Sequence, residues 1–347
     1  MPPIRFALAG FGAWGKFHAQ SIAGNRDAKL VAITAPSEAS REEAWKLYPE
    51  AQIFADSLDM IAKVDFDIID IATPSHTHRE IALAGMERGK HVLLEKPMAI
   101  TLDDCKAIVA GARDHGVHLA VGHELRLSSQ WGRIKEIIVA GTIGDPQYVL
   151  VELSRKPYRP GASGWRYDQS RVGSWVLEEP IHFFDLARWY LEGSGDPVEL
   201  YAYGNSRDSQ RPSLYDNFSA MFQYSNGSYA VVSQTLAAFE HHQTVKVSGT
   251  KGALWAGWSG ALDRTLEPTA FLKVFDGEKL EEVTLTKQSG EVFELREEIA
   301  QSIEMVRSGK TPIATGLDGL WSAGLCLVAE ESIRQKRPLP VGELLQF

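Results

Sequence analysis

Five short apolar runs, Ile4–Ala9, Leu30–Thr34, Asp67–Ala72, His91–Leu94 and His118–Val121, punctuate the first part of the chain. They are rich in Val, Ile and Leu, and Gly, Pro or charged residues bound them. Segments of helical period separate them, near residues 15–24, 38–47, 76–89 and 102–115. In the last of these Leu102, Cys105, Ile108, Val109 and Ala112 make one apolar stripe. Strands this apolar must be covered on both faces. Alternation with helices therefore predicts a parallel sheet with helices on each side.

The pattern changes after residue 123. A helix is expected at 128–140, a long strand at 147–155 and a helix at about 180–192, followed by successive long strands from 198 to 286. Asn226–Gly227 between two alternating runs is a hairpin signal. Two helices close the chain, the last carrying Leu317, Leu320, Trp321, Gly324, Leu325 and Val328 on one face. The chain has 347 residues, which at ~150 per domain suggests two. We expect an α/β domain over 1–123 and an α+β domain over 124–347, the second built on a mainly antiparallel sheet.

Charge narrows the partners. With 36 Lys+Arg against 45 Asp+Glu the net charge is −9, which argues against nucleic acid as a partner. No run approaches the ~20 apolar residues of a membrane span. The opening MPPIRFALAGFG lacks the zones of a signal peptide, so no export segment and a cytoplasmic location are expected. Cys105 and Cys326 form no framework for disulfides or zinc.

Gly10-Phe11-Gly12-Ala13-Trp14-Gly15 follows the first strand directly and opens a helix. In that context GxGxxG fits a dinucleotide. The first glycine allows a tight turn, the second lets backbone approach a pyrophosphate, and the third lets helix and strand pack closely. The helix N-terminus then meets the anion. At the end of the second strand an acidic residue would bind the ribose of NAD, but Ala35-Pro36-Ser37 stands there. Ser37, Ser40 and Arg41 follow, and Arg41 is placed to pair with a 2′-phosphate; the alternative is a solvated charge beside Glu38. NAD and NADP both stay open, with a lean to NADP.

In an open parallel sheet, ligands sit beyond the carboxyl ends of the strands. Two ends carry chemistry: Thr73-Pro74-Ser75-His76-Thr77-His78 and Glu95-Lys96-Pro97. Pro97 biases Lys96 away from helix, so its side chain extends from a strand end, where a lysine polarises a substrate oxygen. His123-Glu124-Leu125-Arg126 stands at a further strand end.

The Gly10–Gly15 loop, the Thr73–His78 turn and Glu95-Lys96-Pro97, in this order and at these intervals, resemble the Gfo/Idh/MocA family, named for glucose–fructose oxidoreductase and inositol dehydrogenase. The resemblance covers essentially the whole chain. It implies a Rossmann domain followed by an open-faced α/β domain, and homo-oligomers, dimers or tetramers, paired through that sheet. It implies that Gly10, Phe11, Gly12, Ala13, Trp14, Gly15, Ser37, Arg41, Thr73, Pro74, His78, Glu95 and Lys96 surround the cofactor, and that Trp165-Arg166 holds its nicotinamide end. In Gly173–Asp185 the resemblance makes His182 the general acid/base. Glu178 stands where the family usually has Asp, and Pro180 where it usually has Gly. If the helix starts near Glu178, the i and i+4 side chains Glu178 and His182 share one face, and Glu178 then orients His182 or binds a substrate hydroxyl. Asp185 either buttresses His182 or is a surface carboxylate.

The expected activity is hydride transfer between nicotinamide and a secondary alcohol or ketone of a sugar, sugar derivative or cyclitol. Lys96, His182 and Glu178 are catalytic, and Lys96, His123, Arg126, Glu178 and His182 bind a polyhydroxylated substrate. Two alternatives are a glycosidase that oxidises its substrate transiently with NAD and a non-catalytic dinucleotide-sensing regulator. No metal is expected, because pairs such as His76 with His78 lack a third ligand at a telling interval. His241-His242 reads as surface.

Overall fold

The computed structural model describes residues 1–342. The chain folds into two compact units, Met1–Glu124 with Leu295–Leu320, and Leu125–Glu294 with the segment from Trp321 onward.

The first unit is a six-stranded sheet, order β3-β2-β1-β4-β5-β6, with every pairing parallel. The strands are β1 (Ile4–Ala9), β2 (Ala28–Thr34), β3 (Gln52–Phe54), β4 (Ile68–Ile71), β5 (His91–Leu94) and β6 (Leu119–Val121). The connecting helices are α1 (Gly15–Ala23), α2 (Glu38–Leu47), α3 (Ser57–Lys63), α4 (His78–Glu87) and α5 (Leu102–Asp114). The order reverses at β1, which puts a ligand crevice outside the carboxyl ends of β1 and β4. The short pair β3 and α3 is absent from the sequence expectation: Gln52-Ile53-Phe54 is too brief to show a period. The helix expected from 76 begins at His78, after a 3-10 turn at Ser75–Thr77 that follows Pro74.

The second unit holds α6 (Trp131–Val139), β7 (Pro146–Arg155), α7 (Gln169–Val172), α8 (Pro180–Tyr190), β8 (Pro197–Asn205), β9 (Asn217–Tyr224), β10 (Tyr229–Thr235), β11 (His241–Gly249), β12 (Ala253–Gly260), β13 (Thr269–Phe275) and β14 (Leu280–Glu282). With β15 (Leu339–Pro340) these strands form one sheet, order β14-β13-β12-β11-β7-β10-β9-β8-β15. β7 and β10 pair in parallel; the other pairings among the described residues are antiparallel. Residues of β9 and β10 alternate between buried and more exposed, and α8 covers one face, where Phe184 stacks on Phe218 and Phe222. On the opposite face the register sets Tyr201, Met221, Val231, Leu150, Lys246, Trp255 and Lys273 in one row across seven strands. Met221 and Trp255 in that row are about half exposed, at 46% and 48%. Asn226 and Gly227 turn the β9–β10 hairpin, with Gly227 at φ +87°.

Two closing helices, α9 (Glu291–Ser308) and α10 (Gly316–Gln335), do not stay in one unit. Ile299, Ile303 and Met305 of α9 join Phe6, Leu8, Leu30 and Ile33 in the core of the parallel sheet. Thr315 bridges Ala120 of β6, and Gly316 and Gly319 of α10 lie so close to Leu119 and Val121 that a Cβ would come within 2.6 and 2.8 Å of them. A single boundary after residue 123 therefore misses this return. The reason is that a helix stripe shows which side is buried, not which sheet buries it. Leu317, expected on the buried stripe of α10, is 54% exposed.

Candidate active site

The Gly10–Gly15 loop leaves β1 against the end of β4. Gly10 sits at φ +101°, and a Cβ there would lie 2.7 Å from the Ala72 carbonyl oxygen. A Cβ on Gly15 would strike the Gly10 carbonyl at 2.0 Å, so this glycine is the close-packing one. Gly12 differs from both, since a Cβ on it meets nothing within 4 Å. The loop thus keeps open space beside its middle glycine, where a pyrophosphate must approach backbone. No side chain caps α1 and no acidic residue lies in its first turn, so its positive end is uncompensated. On these observations the loop fits a dinucleotide. The Gly10 N–H donates to Thr34 Oγ1 at 3.1 Å, fixing the loop to the end of β2.

Beyond β2, Ser37 caps α2 by accepting from the Ser40 N–H at 3.2 Å. The Arg41 guanidinium donates to the carbonyls of Ala35 (3.1 Å) and Pro36 (2.6 Å), which holds a cation at the strand end where a ribose is read. Thr73 Oγ1 accepts from Thr77 Oγ1 at 2.7 Å. His78 is buried between two strand ends, with Nε2 2.8 Å from the Thr73 carbonyl and Nδ1 3.0 Å from that of Pro97. Burial pushes its pKa down. A neutral ring donates to only one of these carbonyls, so His78 is wedged between the Thr73 turn and the Lys96-Pro97 bond, which is cis.

Lys96 follows β5, and its backbone N–H donates to Glu95 Oε2 at 3.1 Å. Glu95 is buried, and its Oε1 accepts from Trp14 Nε1 at 2.8 Å and lies 3.0 Å from His18 Nε2. His18 Nδ1 lies 2.8 Å from Asp70 Oδ2. Burial works against a charged ring, but Asp70 and Glu95 outweigh it and hold His18 well above its ordinary range. Burial likewise presses Glu95 upward, and His18, Lys96 and Trp14 together bring it below the usual carboxylate range. His18, Glu95 and Glu298 each bring one ligand atom within 4.8 Å of the others, a spacing that also suits a metal. His18, however, spends both ring nitrogens on Asp70 and Glu95, so ion pairing accounts for the cluster.

In the second unit, Glu178 Oε2 accepts from Arg166 Nε at 2.6 Å, and the Arg166 guanidinium lies 4.6 Å from the Trp165 ring centroid. The two expected features, Trp165-Arg166 and Glu178, are one assembly. α8 begins at Pro180, so Glu178 lies before the helix and does not share a helix face with His182 as expected; His182 is buried in the first turn, its backbone N–H donating to the Glu179 carbonyl at 3.0 Å. Arg126 and Asp185 form a buried bidentate pair at 2.8 and 2.7 Å, with the guanidinium 5.0 Å from the Trp189 ring centroid. Asp185 is thus no surface carboxylate, and Arg126 is a partnered cation. His123 and Glu124 are buried after β6, in the first unit.

Sequence reasoning missed two buried clusters. One is His18–Asp70–Glu95. Its signal was Asp70 itself, a carboxylate inside Ile68-Ile69-Asp70-Ile71, where a buried parallel strand should be wholly apolar. The other is Glu179, paired with Arg155 and lying 2.8 Å from His241 Nε2. His241 is 2% exposed, not surface, and Glu179 raises its pKa against the effect of burial. An isolated histidine in a strand carries no sign of a partner 62 residues away.

Residues 4–123 match the profile described as the oxidoreductase family, NAD-binding Rossmann fold, and residues 131–255 match the GFO/IDH/MocA C-terminal domain. The chain belongs to the Gfo/Idh/MocA oxidoreductase family. Among Gfo/Idh/MocA proteins it is 26% identical to myo-inositol 2-dehydrogenase of Thermotoga maritima, covering 99% of this chain and 100% of that one. It is 27% identical to inositol 2-dehydrogenase of Rhizobium meliloti, covering 97% and 99%. The fold is that of the oxidoreductase domain protein from Kribbella flavida, TM-score 0.86 at 20% identity over 98% of this chain and 100% of that one. The chain is thus an NAD(P)-binding oxidoreductase with a parallel Rossmann sheet and a mainly antiparallel second sheet.

Proposed function

We propose that this protein moves a hydride between NAD(P) and a secondary alcohol or ketone of a cyclitol or sugar. The observation that carries the reading is the nearly end-to-end likeness to two inositol 2-dehydrogenases, in a chain that holds Lys96 at the end of β5 and His182 in α8. Gly10–Gly15, with Thr73, Pro74 and Arg41, would hold the dinucleotide, which supplies the hydride acceptor or donor when bound. The cation of Arg41 at the end of β2 favours NADP. Trp165 and Arg166 hold the nicotinamide end.

The Lys96 ammonium stabilises negative charge as it develops on the substrate oxygen. His182 removes the hydroxyl proton during oxidation and returns it during reduction. Glu178, held by Arg166, accepts a neighbouring substrate hydroxyl, and His123 and Arg126 complete the polar lining. The first unit is the cofactor domain and the second the substrate and oligomerisation domain. Two buried cysteines, Cys105 and Cys326, and no described helix long and apolar enough to cross a membrane suit a cytoplasmic setting.

The test is a screen of inositols, aldoses, ketoses and glycosides with NAD and NADP, read at the nicotinamide absorbance. Steady reduction of cofactor with a free cyclitol or sugar is the expected result. Release of an aglycone with no net reduced cofactor would replace this reading with the glycosidase. No turnover, with cofactor bound, would point to the regulator.

A further inference from the structure

Beneath Lys96 lies a buried group of ionisable side chains that hydride transfer does not itself require. Asp70 and His18 are fully buried, and Glu95 and Glu298 are 5% and 6% exposed. They come from four places in the first unit: β4, α1, the end of β5 and α9. Such a group survives only if its charges are matched and its hydrogen bonds are made.

We propose that Glu95 is a positioning residue for Lys96, kept as a carboxylate by the His18 imidazolium and tying the glycine loop to the Lys96 backbone.

Three observations argue for it. First, the two oxygens of Glu95 divide their work. Oε1 takes the Trp14 indole N–H and the His18 ring, and Oε2 takes the Lys96 N–H. One carboxylate therefore spans the loop expected to carry pyrophosphate and the residue expected to meet the substrate oxygen. Second, both ring nitrogens of His18 lie within hydrogen-bond reach of carboxylate oxygens, at 2.8 and 3.0 Å. Only the imidazolium can donate from both. Third, the charge count closes. The groups facing His18 are Asp70 from β4, Glu95 from the end of β5, Glu298 from α9 and the Trp14 ring from its own loop. Burial and the Glu95 charge push Glu298 up to about 8, so it is mainly protonated at neutral pH. Burial and the Glu95 charge also raise Asp70, while His18 opposes that shift; with Asp70 ionised, Asp70 and Glu95 are balanced by His18 and the Lys96 ammonium.

This inference rests on Lys96 as the electrostatic group of the proposed reaction, so the first measurement does not use turnover. In the cofactor-bound wild type, NMR of the ring nitrogens should show His18 as imidazolium through pH 8. In Glu95→Gln the Lys96 ammonium, followed through its Nζ resonance, should titrate lower by about 1 pH unit. A His18 that is neutral at pH 7, or a Lys96 titration unmoved in Glu95→Gln, overturns the proposal whatever the substrate proves to be.

The second measurement uses turnover. Glu95→Gln should lower kcat at least tenfold, with cofactor Kd changed less than threefold and the pH profile displaced to lower pH. Glu95→Asp should recover part of kcat. Glu298→Gln, which exchanges one neutral group for another of the same shape, should leave kcat within twofold. Equal losses in Glu95→Gln and Glu298→Gln would mean that the cluster only supports the fold. If His18→Gln fails to fold, the NMR titration of the wild type still decides the charge on His18.

Discussion

Lys96, Gly12 and Arg41 are the residues on which the reading stands or falls. Lys96→Ala should cut kcat more than tenfold, a loss above ~1.4 kcal/mol in transition-state stabilisation, while calorimetry finds cofactor Kd within a few-fold. A variant retaining a tenth of wild-type kcat would remove Lys96 from the chemistry. Gly12→Val separates ligand binding from folding with unusual clarity. A Cβ on Gly12 meets no protein atom within 4 Å, so the variant should melt close to wild type and yet fail to bind NAD or NADP. Gly10→Ala is the contrasting case. It forces a side chain into φ +101° and to 2.7 Å from the Ala72 carbonyl, and should be unstable before any ligand is added. Arg41→Ala should weaken NADP more than NAD; equal weakening would make it a clasp for the Ala35 and Pro36 carbonyls alone.

At the scale of elements, the long periodic segments were plain in the sequence and the short or polar ones were not. β1, β5 and α2 begin and end where the apolar runs and the helical period put them. β3, with three residues, has no period to read. Lys96-Pro97 and His182 could be singled out because they sit in recognisable local context, and their catalytic role is the part left to the Lys96→Ala test. The pairings Arg126–Asp185, Glu178–Arg166 and Glu179–His241 were not, since each joins residues 12 to 62 positions apart with no local signature. The start of α9 offers a test of burial against capping. Glu294 accepts from the Gly290 N–H with both oxygens, at 3.1 and 2.9 Å, and from Ser289 at 3.2 Å. Burial nonetheless dominates and pushes it up to about 8. Its folded-state pKa lies above the unfolded 4.5, so the unfolded state loses this proton first. Stability should then fall from about pH 4.5 to about pH 8 and level off above that. Glu294→Gln should flatten that slope in thermal melts; an unchanged slope would assign the proton elsewhere.

For the molecule as a whole, the sheet of the second unit carries the remaining expectation. The row from Tyr201 to Lys273 lays Met221, Val231, Leu150 and Trp255 along a face opposite α8. Met221 and Trp255 are about half exposed, with Val231 and Leu150 between them and Lys246 interrupting the row, and exposed apolar patches of this kind commonly mark an interface. We expect a second copy of this chain to cover it. Sedimentation at micromolar concentration should give a dimer or tetramer, and Met221→Glu with Trp255→Glu should return it to the 38.4 kDa monomer. A monomeric wild type would sink this expectation. The return of α9 to the parallel sheet has a consequence for biosynthesis. Ile299, Ile303 and Met305 sit in the same core as Phe6 and Leu8, close to three hundred residues earlier in the chain. As the chain emerges from the ribosome, its first sheet stands with that surface bare while β7 to β14 of the second sheet are being made. The nascent protein therefore carries an exposed aliphatic face for most of its synthesis, and chaperones should engage that face until the residues near 305 emerge.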